Sequence, residues 1–585
     1  MRYRLAVQIA AALAAVSAAL GAADAVRPLG MFALYQENRE RGIPNYITED
    51  FVLLSHSMLT ENAITTAEEK TLYPSLCKLT AVLKKKLATA PQKDEAVAAN
   101  RNFVAVLEAL LKGSQDLAGA PNPETAATEL SKVRAAEGTG RSPLMLQNVD
   151  YTQFRVRGKY TKTEALGRYF LAYRYASAAL FPLLESESTG VSAADADRLT
   201  RQALLFSRLL ADPDIAPTYA MITSRFDFLF GPSEDMTAAD YGRIPAPATG
   251  TVAQMRQKLF QAAKHPTILS GLVDTSRLEP GRKPADVLTG WRLLPQGALP
   301  DAAAMQELVF EHVTDYRGNA KPVSLAEING KRVKGFPLGL EVMALLGSPV
   351  AAARLRDGDD QNYAGYADAW KKAQSAIKRP AGLASDQLGV LRGLLTPEAP
   401  DHSLNAALAF WTLQRHASVL YAKQSYTAVS KGIPVVRPRD KSWLEPAPEL
   451  YARLQKLVTK MEARFTDPKM AQFSQVLARC VAISTQERKG TTPAAADAKF
   501  LNDLDETLAG MIGSKDAPVV VDVHTEPNTG QVLEEGIGFA AEASKALAGD
   551  TAARGARFRH YEFKHEMQDR LTDEKFLAML QEGKL

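Results

Sequence analysis

The sequence predicts a mainly α-helical protein, a large irregular multi-helix body with a small antiparallel β-sheet near the C-terminus. Three observations predict it. Apolar residues recur at spacings of three and four over most of the 585 residues, which winds one stripe along each helix. Alternation with the period of a strand comes late, in "PVVVDVHTEPNTGQVLEEGIG" (518–538) and "ARFRHYEF" (556–563). No fixed repeat period and no long low-complexity linker divides the chain, so neither a regular solenoid nor a string of separate modules is expected.

In chain order, the opening "MRYRLAVQIAAALAAVSAALGAADA" sets Arg2 and Arg4 before an apolar run and small residues at Ala23 and Ala25. This is the layout of a secretory signal, with cleavage expected after Ala23 or Ala25. The run is too short for a membrane span, which needs about 20 apolar residues. It predicts an extracytoplasmic protein, periplasmic or secreted. Residues 26–515 are then expected to form the helical body, and 516–585 a small sheet plus terminal helix packed on it. Helical stripes fall at 48–68, 72–87, 96–117, 166–180, 252–263, 338–355, 363–377, 403–429, 449–465, 468–487 and 494–512. Another helix opens at Ser192, whose hydroxyl can accept a first-turn N–H with Asp195 three residues on, and stops before Pro213. The small, polar stretch 118–143, punctuated by Pro and Gly, reads as a loop.

Charge and cysteine content exclude several classes. The net charge is +4, and a leader carrying Arg2, Arg4 and Asp24 takes +1 of this with it. No Lys/Arg stripe with interleaved aromatics appears, so no nucleic-acid partner is expected. Two cysteines, Cys77 and Cys480, are too few for a cysteine zinc site; both lie in apolar helical patterns, and their spacing leaves a disulfide open.

The late alternating stretch carries the main chemical signal. On a regular strand Asp522 and His524 share one side, with Val519, Val521 and Val523 on the other. "EPNTG" turns the chain, and the returning strand brings Glu534 or Glu535 across from them. A third strand adds Glu562, with Phe558 and His560 on its face. Carboxylate and imidazole together suit a divalent metal such as zinc, manganese or iron; the alternative is the wet face of a half-buried sheet. A second cluster lies in 410–432. There His416, Leu420 and Lys423 share one helical face, and Trp411, Arg415 and Tyr426 another. Such a network serves catalysis or ties helices together. "HEMQD" (565–569) lacks the second histidine of a zinc helix, and "SAIK" (375–378) lacks the companion motifs of a serine–lysine enzyme. There is no nucleophile elbow, P-loop or dinucleotide-binding fingerprint.

Several words, in order along nearly the whole chain, resemble one family: "GIPNYITEDFVLLSHS" (42–57), "DYTQFRVRGKYTKTEALGRYFLAYRY" (150–175), "GPSEDMTAADY" (231–241), "GLEVMALLGSPVAAARL" (339–355), "WTLQRHASVLYAKQSY" (411–426), "WLEPAPELYARL" (443–454), "VVDVHTEPNTGQVLEEGIG" (520–538) and "YEFKHEMQDRLTDEKFLAML" (561–580). The family is the exported bacterial and archaeal proteins catalogued as domain of unknown function 3160. The resemblance implies an exported, mainly helical protein without assigning a reaction. It places Asp522, His524 and Thr525 in a D-V-H-T element, and Arg415, His416, Tyr421, Lys423 and Gln424 in an R-H…L-Y-A-K-Q helix. Two departures stand out: Ala417 where the family carries aspartate, and Lys159 where it carries histidine.

Taken together, the sequence favours a metal-assisted or acid/base hydrolase acting on an envelope or extracellular polymer. Asp522 and His524 are the expected metal ligands and His416, Lys423 and Glu562 the catalytic groups, with Arg168, Arg415, Tyr421 and Gln424 as substrate-binding residues. The alternative is a non-catalytic extracytoplasmic binding or scaffold protein. Convergence of Asp522, His524 and His416 on one pocket separates the two.

Overall fold

The computed structural model describes residues 29–585 apart from 92, 187–188, 234, 244–250, 263–289, 298, 311, 329, 398, 419, 421–441, 466, 492–493, 514–515 and 548–551. It is mainly helical, as the periodicity predicts, and an apolar core runs from Met31 through Phe558. No helix among the described residues is long and apolar enough to cross a membrane.

Local signals set most helix ends. The helix Ala193–Leu210 starts with a reciprocal capping box between Ser192 and Asp195 and stops short of Pro213. Glu49–Ala67 is capped by Thr48, whose hydroxyl accepts the Phe51 N–H and donates to the Ala556 carbonyl at 2.5 Å. That second bond ties the helix to the C-terminal region. Glu49–Ala67 runs without interruption into a π-helical turn at Glu68–Leu72 and then into Tyr73–Thr89, so two predicted stripes form one rod with a widened turn between them.

Two expectations need correction. The stretch 118–143 contains a helix, Pro123–Ala135, which starts on a proline, where no N–H is needed, and buries Ala126, Leu130 and Val133. Its small polar residues mask a narrow apolar stripe. The stripe at 338–355 is two helices, Gly339–Leu345 and Pro349–Asp357, broken where Gly347 takes φ 111° and Ser348 caps the second helix before Pro349. The helix of the 403–429 stripe runs Asp401–Ala417; residues 421–429 lie outside the described residues. Cys77 and Cys480 are both free thiols.

The C-terminal sheet has three antiparallel strands, with Gln531–Ile537 between Val519–Glu526 and His560–Glu566. One face, with Val519, Val521, Leu533 and Ile537, joins the main core. The other, with Val520, Tyr561 and Phe563, is covered by Leu571 and by Phe576 of the terminal helix Asp573–Gln581. Gly536 in the central strand has to lack a side chain, because a Cβ there would stand 2.4 Å from Phe576 Cζ. The short strand Tyr46–Ile47 pairs in parallel with Trp443–Leu444, and the hairpin Ala541–Ala546/Ala552–Arg557 packs beside it through an Asn45–Arg554 bridge.

Candidate metal centre and the buried polar clusters

Asp522 and His524 do not share a side. Along the first hairpin Glu534 faces Asp522, but Leu533 faces His524, so Val523 is an extra residue, a β-bulge. Residues 533 and 534 point to opposite faces of their strand; so, therefore, do His524 and Asp522. Asp522 lies on the face of the terminal helix, buried against Arg570. That guanidinium, itself fully buried, meets Asp522 Oδ2 with Nη1 and donates to Thr152 Oγ1 (3.0 Å), Asp150 Oδ2 (3.2 Å) and Thr525 Oγ1 (3.1 Å). His524 lies half-buried on the body's face, edge-on to Phe336.

His416, on the helix Asp401–Ala417, forms a third group. Its Nδ1 is 2.9 Å from Glu61 Oε2 and its Nε2 3.4 Å from Asp573 Oδ2. Burial alone would lower its pKa, but the charges of Asp573 and Glu61 outweigh it and hold the imidazolium to about 9. Burial would raise Glu61, yet Lys162, 2.9 Å away, and His416 keep it well below the usual carboxylate range. Asp573 is pushed up to about 6 by burial, against His416, and also accepts the Val520 N–H at 2.8 Å. His416 therefore locks the terminal helix and the sheet to the Glu49–Ala67 helix. Its folded pKa lies above the unfolded value of about 6.5, so this contribution is complete below pH 6.5 and is lost as pH rises through 9. Urea midpoints are expected to fall between pH 7 and 9.5, by on the order of 2–3 kcal/mol for this group. An imidazole NMR titration should place its midpoint near 9; a midpoint at or below 6.5 refutes the assignment.

Arg415, one residue earlier, faces elsewhere. Its Nε is 3.1 Å from Asp301 Oδ2, which also accepts the Trp411 indole N–H at 2.7 Å. A cavity of about 30 Å³ lies against Arg415, Trp411, Asp301 and Gln414, room for one water. Glu562 lies beyond Trp411, on the third strand, accepting the Gly339 N–H at 2.6 Å. Arg168 is on a separate flank, paired with Glu164 and beside Tyr73. Tyr421, Lys423 and Gln424 lie outside the described residues. Of the two family departures, Lys159 is fully buried 2.8 Å from Glu68, and Ala417 is buried at the end of its helix. Among the described residues, Asp522, Arg415 and His416 thus lie in three separate buried ion-pair clusters, with His524 and Arg168 apart from them.

Another set converges nearer the surface. Glu49 at the start of its helix, His402 at the start of Asp401–Ala417 and Glu445 just after Trp443–Leu444 each offer one ligand atom, all within 4.8 Å of one another. His402 Nε2 is 3.5 Å from Glu49 Oε1 and 3.3 Å from Glu445 Oε1, and its side chain is 35 % exposed. The carboxylates are held from behind. Arg557 grips both oxygens of Glu445 and pairs with Asp50 at 2.7 Å, the Glu49 N–H donates to Glu445 Oε2 at 2.8 Å, and Ser403 Oγ to Glu49 Oε1 at 3.2 Å. Burial raises Glu445, but the His402 imidazole and the Arg557 guanidinium beside it more than offset this and hold it at about 2. The two carboxylates beside it raise His402 to about 9, so that an imidazolium lies between them.

The residues fit a divalent ion. Ligands bound at about 2.0–2.2 Å in a tetrahedron stand roughly 3.4 Å apart, the separation of His402 Nε2 from its two oxygens. It is longer than a direct charge-assisted hydrogen bond of about 2.7–2.9 Å. Sequence reading missed this triad because its members come from three separate segments, Glu49 lying more than 350 residues before His402. Glu49 and Glu445 do fall in words that carry the family resemblance, which is the signal that was there.

The chain belongs to the family described as Protein of unknown function (DUF3160), which matches residues 22–585. No curated protein and no solved structure matches it.

Proposed function

We propose that the protein is an exported hydrolase assisted by a divalent metal at Glu49, His402 and Glu445, acting on an envelope or extracellular polymer. The observation that carries this reading is the convergence of two carboxylates and one imidazole with the imidazole partly open to solvent. Three protein ligands and one open position are the arrangement of hydrolytic metal sites, whereas structural sites are closed. An ion held there supplies Lewis acidity toward a water and a substrate oxygen. The chain's own residues do the positioning: Arg557 and the Glu49 N–H fix the Glu445 carboxylate, Ser403 fixes Glu49, and such outer partners set ligand orientation and affinity. Export rests on the leader pattern of residues 1–25.

The alternative, a non-catalytic binding protein, draws on the burial of His416, Arg415 and Asp522, each paired with a charged neighbour. Purified protein loaded with Zn²⁺ or Mn²⁺, gel-filtered and analysed for metal tests the site. His402→Ala is expected to hold one equivalent less than the parent, with its fold intact because His402 is partly exposed. Equal metal content in parent and variant sinks the site. Metal-dependent release of fragments from peptidoglycan or extracellular polysaccharide, lost in His402→Ala, supports hydrolysis. A site that binds metal but releases nothing from either polymer leaves the binding reading.

A further inference from the structure

A recess opens at the far end of the helical rod that begins with Glu49. Residues 63, 66, 67, 70 and 71 recur at spacings of three and four and so form one stripe, while Ile64, Glu68 and Leu72 on the opposite side are buried. Alanines at 63 and 67 leave room, and the stripe becomes one wall of a cavity of about 350 Å³. Arg225 of the helix Ala216–Phe230 forms another wall, as do Phe465 and Asp467, where the helix Pro448–Phe465 gives way to Pro468–Arg488. The volume falls in the range of small-molecule sites, about 300–1,000 Å³. Lys70 and Thr71 belong to the widened turn Glu68–Leu72, a geometry frequent at functional sites.

The lining carries more positive charge than the protein neutralises. The Arg225 guanidinium lies over the Phe465 ring, 5.6 Å from its centroid, and donates to the Arg464 carbonyl. That uses one of its five N–H groups. Burial and the neighbouring Arg464 charge both lower its pKa, and no acid among the described residues opposes them. Lys70 stands 3.8 Å from Glu69, beyond hydrogen-bond reach, and Glu69 already accepts the Thr163 hydroxyl at 2.8 Å. Asp467, the one acid among the described lining residues, caps its own helix by accepting the Lys469 N–H at 2.9 Å. Lys70 and Arg225 against Asp467 leave a net charge of +1. The hydroxyls of Thr66 and Thr71, both on exposed residues of the stripe, add uncharged donors beside Lys70. Donors that arrive from two separate elements surround a point. A tetrahedral oxyanion has acceptors on every side to meet them, whereas a carboxylate takes its bonds in one plane.

We infer that this recess binds a small phosphate monoester, held by Lys70 and Arg225 with Thr66 and Thr71 as hydroxyl donors. It shares no residue with the Glu49–His402–Glu445 centre. Thr66 lies 17 residues beyond Glu49 on one helix, about 25 Å at 1.5 Å per residue, so a phosphate here does not depend on a metal there.

Calorimetry on full-length, chelator-treated protein tests the site, with glycerol 3-phosphate as the probe and about 0.15 M salt to screen non-specific attraction. One molecule per chain is expected to bind saturably. Arg225→Gln and, separately, Lys70→Gln should each weaken it by about tenfold or more, the scale of a hydrogen bond to a charged group, while His402→Ala binds as the parent does. Melting temperatures of the variants report whether the fold is kept; should Arg225→Gln melt early, Lys70→Gln decides, because Lys70 is exposed. Absence of saturable binding overturns the inference, and so does equal affinity in the parent and Lys70→Gln. Succinate bound as tightly as glycerol 3-phosphate overturns the assignment to phosphate.

Discussion

Replacing Arg570 by methionine is expected to cost at least 3–5 kcal/mol, the range for breaking a buried ion pair by removing one partner. Here one guanidinium serves two buried carboxylates, Asp522 and Asp150, as well as the hydroxyls of Thr152 and Thr525. Methionine keeps much of the volume but supplies no donor, so both acids remain buried without their cation. Thr152 donates to Asp150 through its N–H (3.0 Å) and hydroxyl (2.6 Å), which leaves Asp522 the more exposed to the loss. Adding Asp522→Asn to the Arg570→Met background should therefore recover part of the stability. The substitution also loosens the terminal helix, because Asp573 follows three residues later and holds both His416 and the Val520 N–H. Hydrogen exchange should show the helix Asp573–Gln581 opening ahead of the rest. A loss below about 1 kcal/mol in urea denaturation, the scale of a surface pair, contradicts the buried network.

Lys159→Met is the second large effect. Lys159 and Glu68 are both fully buried, 2.8 Å apart, where the π-helical turn Glu68–Leu72 meets the loop before the helix Glu164–Ala178. Tyr160 also donates to Glu68 at 2.7 Å, and that bond survives the change. The remaining charge has no cation, so about 3–5 kcal/mol should be lost. The double variant Glu68→Gln/Lys159→Met removes both charges and should regain most of it, since an apolar replacement of a whole buried pair is often neutral. A double variant as unstable as the single one assigns the loss to packing, not charge. The experiment also bears on the family departure at this position. A lysine whose role is to neutralise Glu68 is packing hardware.

The late strands show how far local pattern carries. Alternation in 556–563 puts His560 and Glu562 on one face and Tyr561 and Phe563 on the other, and the sheet has that arrangement. The same reasoning fails at Asp522 and His524 because one bulged residue, Val523, reverses the side of everything beyond it. A bulge forms when the pairing of the whole hairpin, and the burial of each face, outweighs the regular register of one strand. Nothing in "VVDVHTE" marks it.

The helices were legible for a simpler reason. A stripe of apolar side chains and a capping hydroxyl act within four residues, so Ser192 with Asp195 and the stop before Pro213 can be read directly. Masking is what defeats this reading, as at 118–143, where small polar residues hide a helix that starts on Pro123.

Sequence alone determined that this chain is a helical body with a late antiparallel sheet, together with its family and which words in it are charged and apolar in unusual mixture. Only tertiary structure decided which acid meets which base. Glu49, His402, Glu445 and Arg557 come from four separate segments, and Arg570 reaches Asp150 across 420 residues. Helix formation depends on neighbours three and four residues apart, whereas an ion-pair cluster depends on how whole elements dock, and the cost of burying a charge is set only once that docking has excluded water.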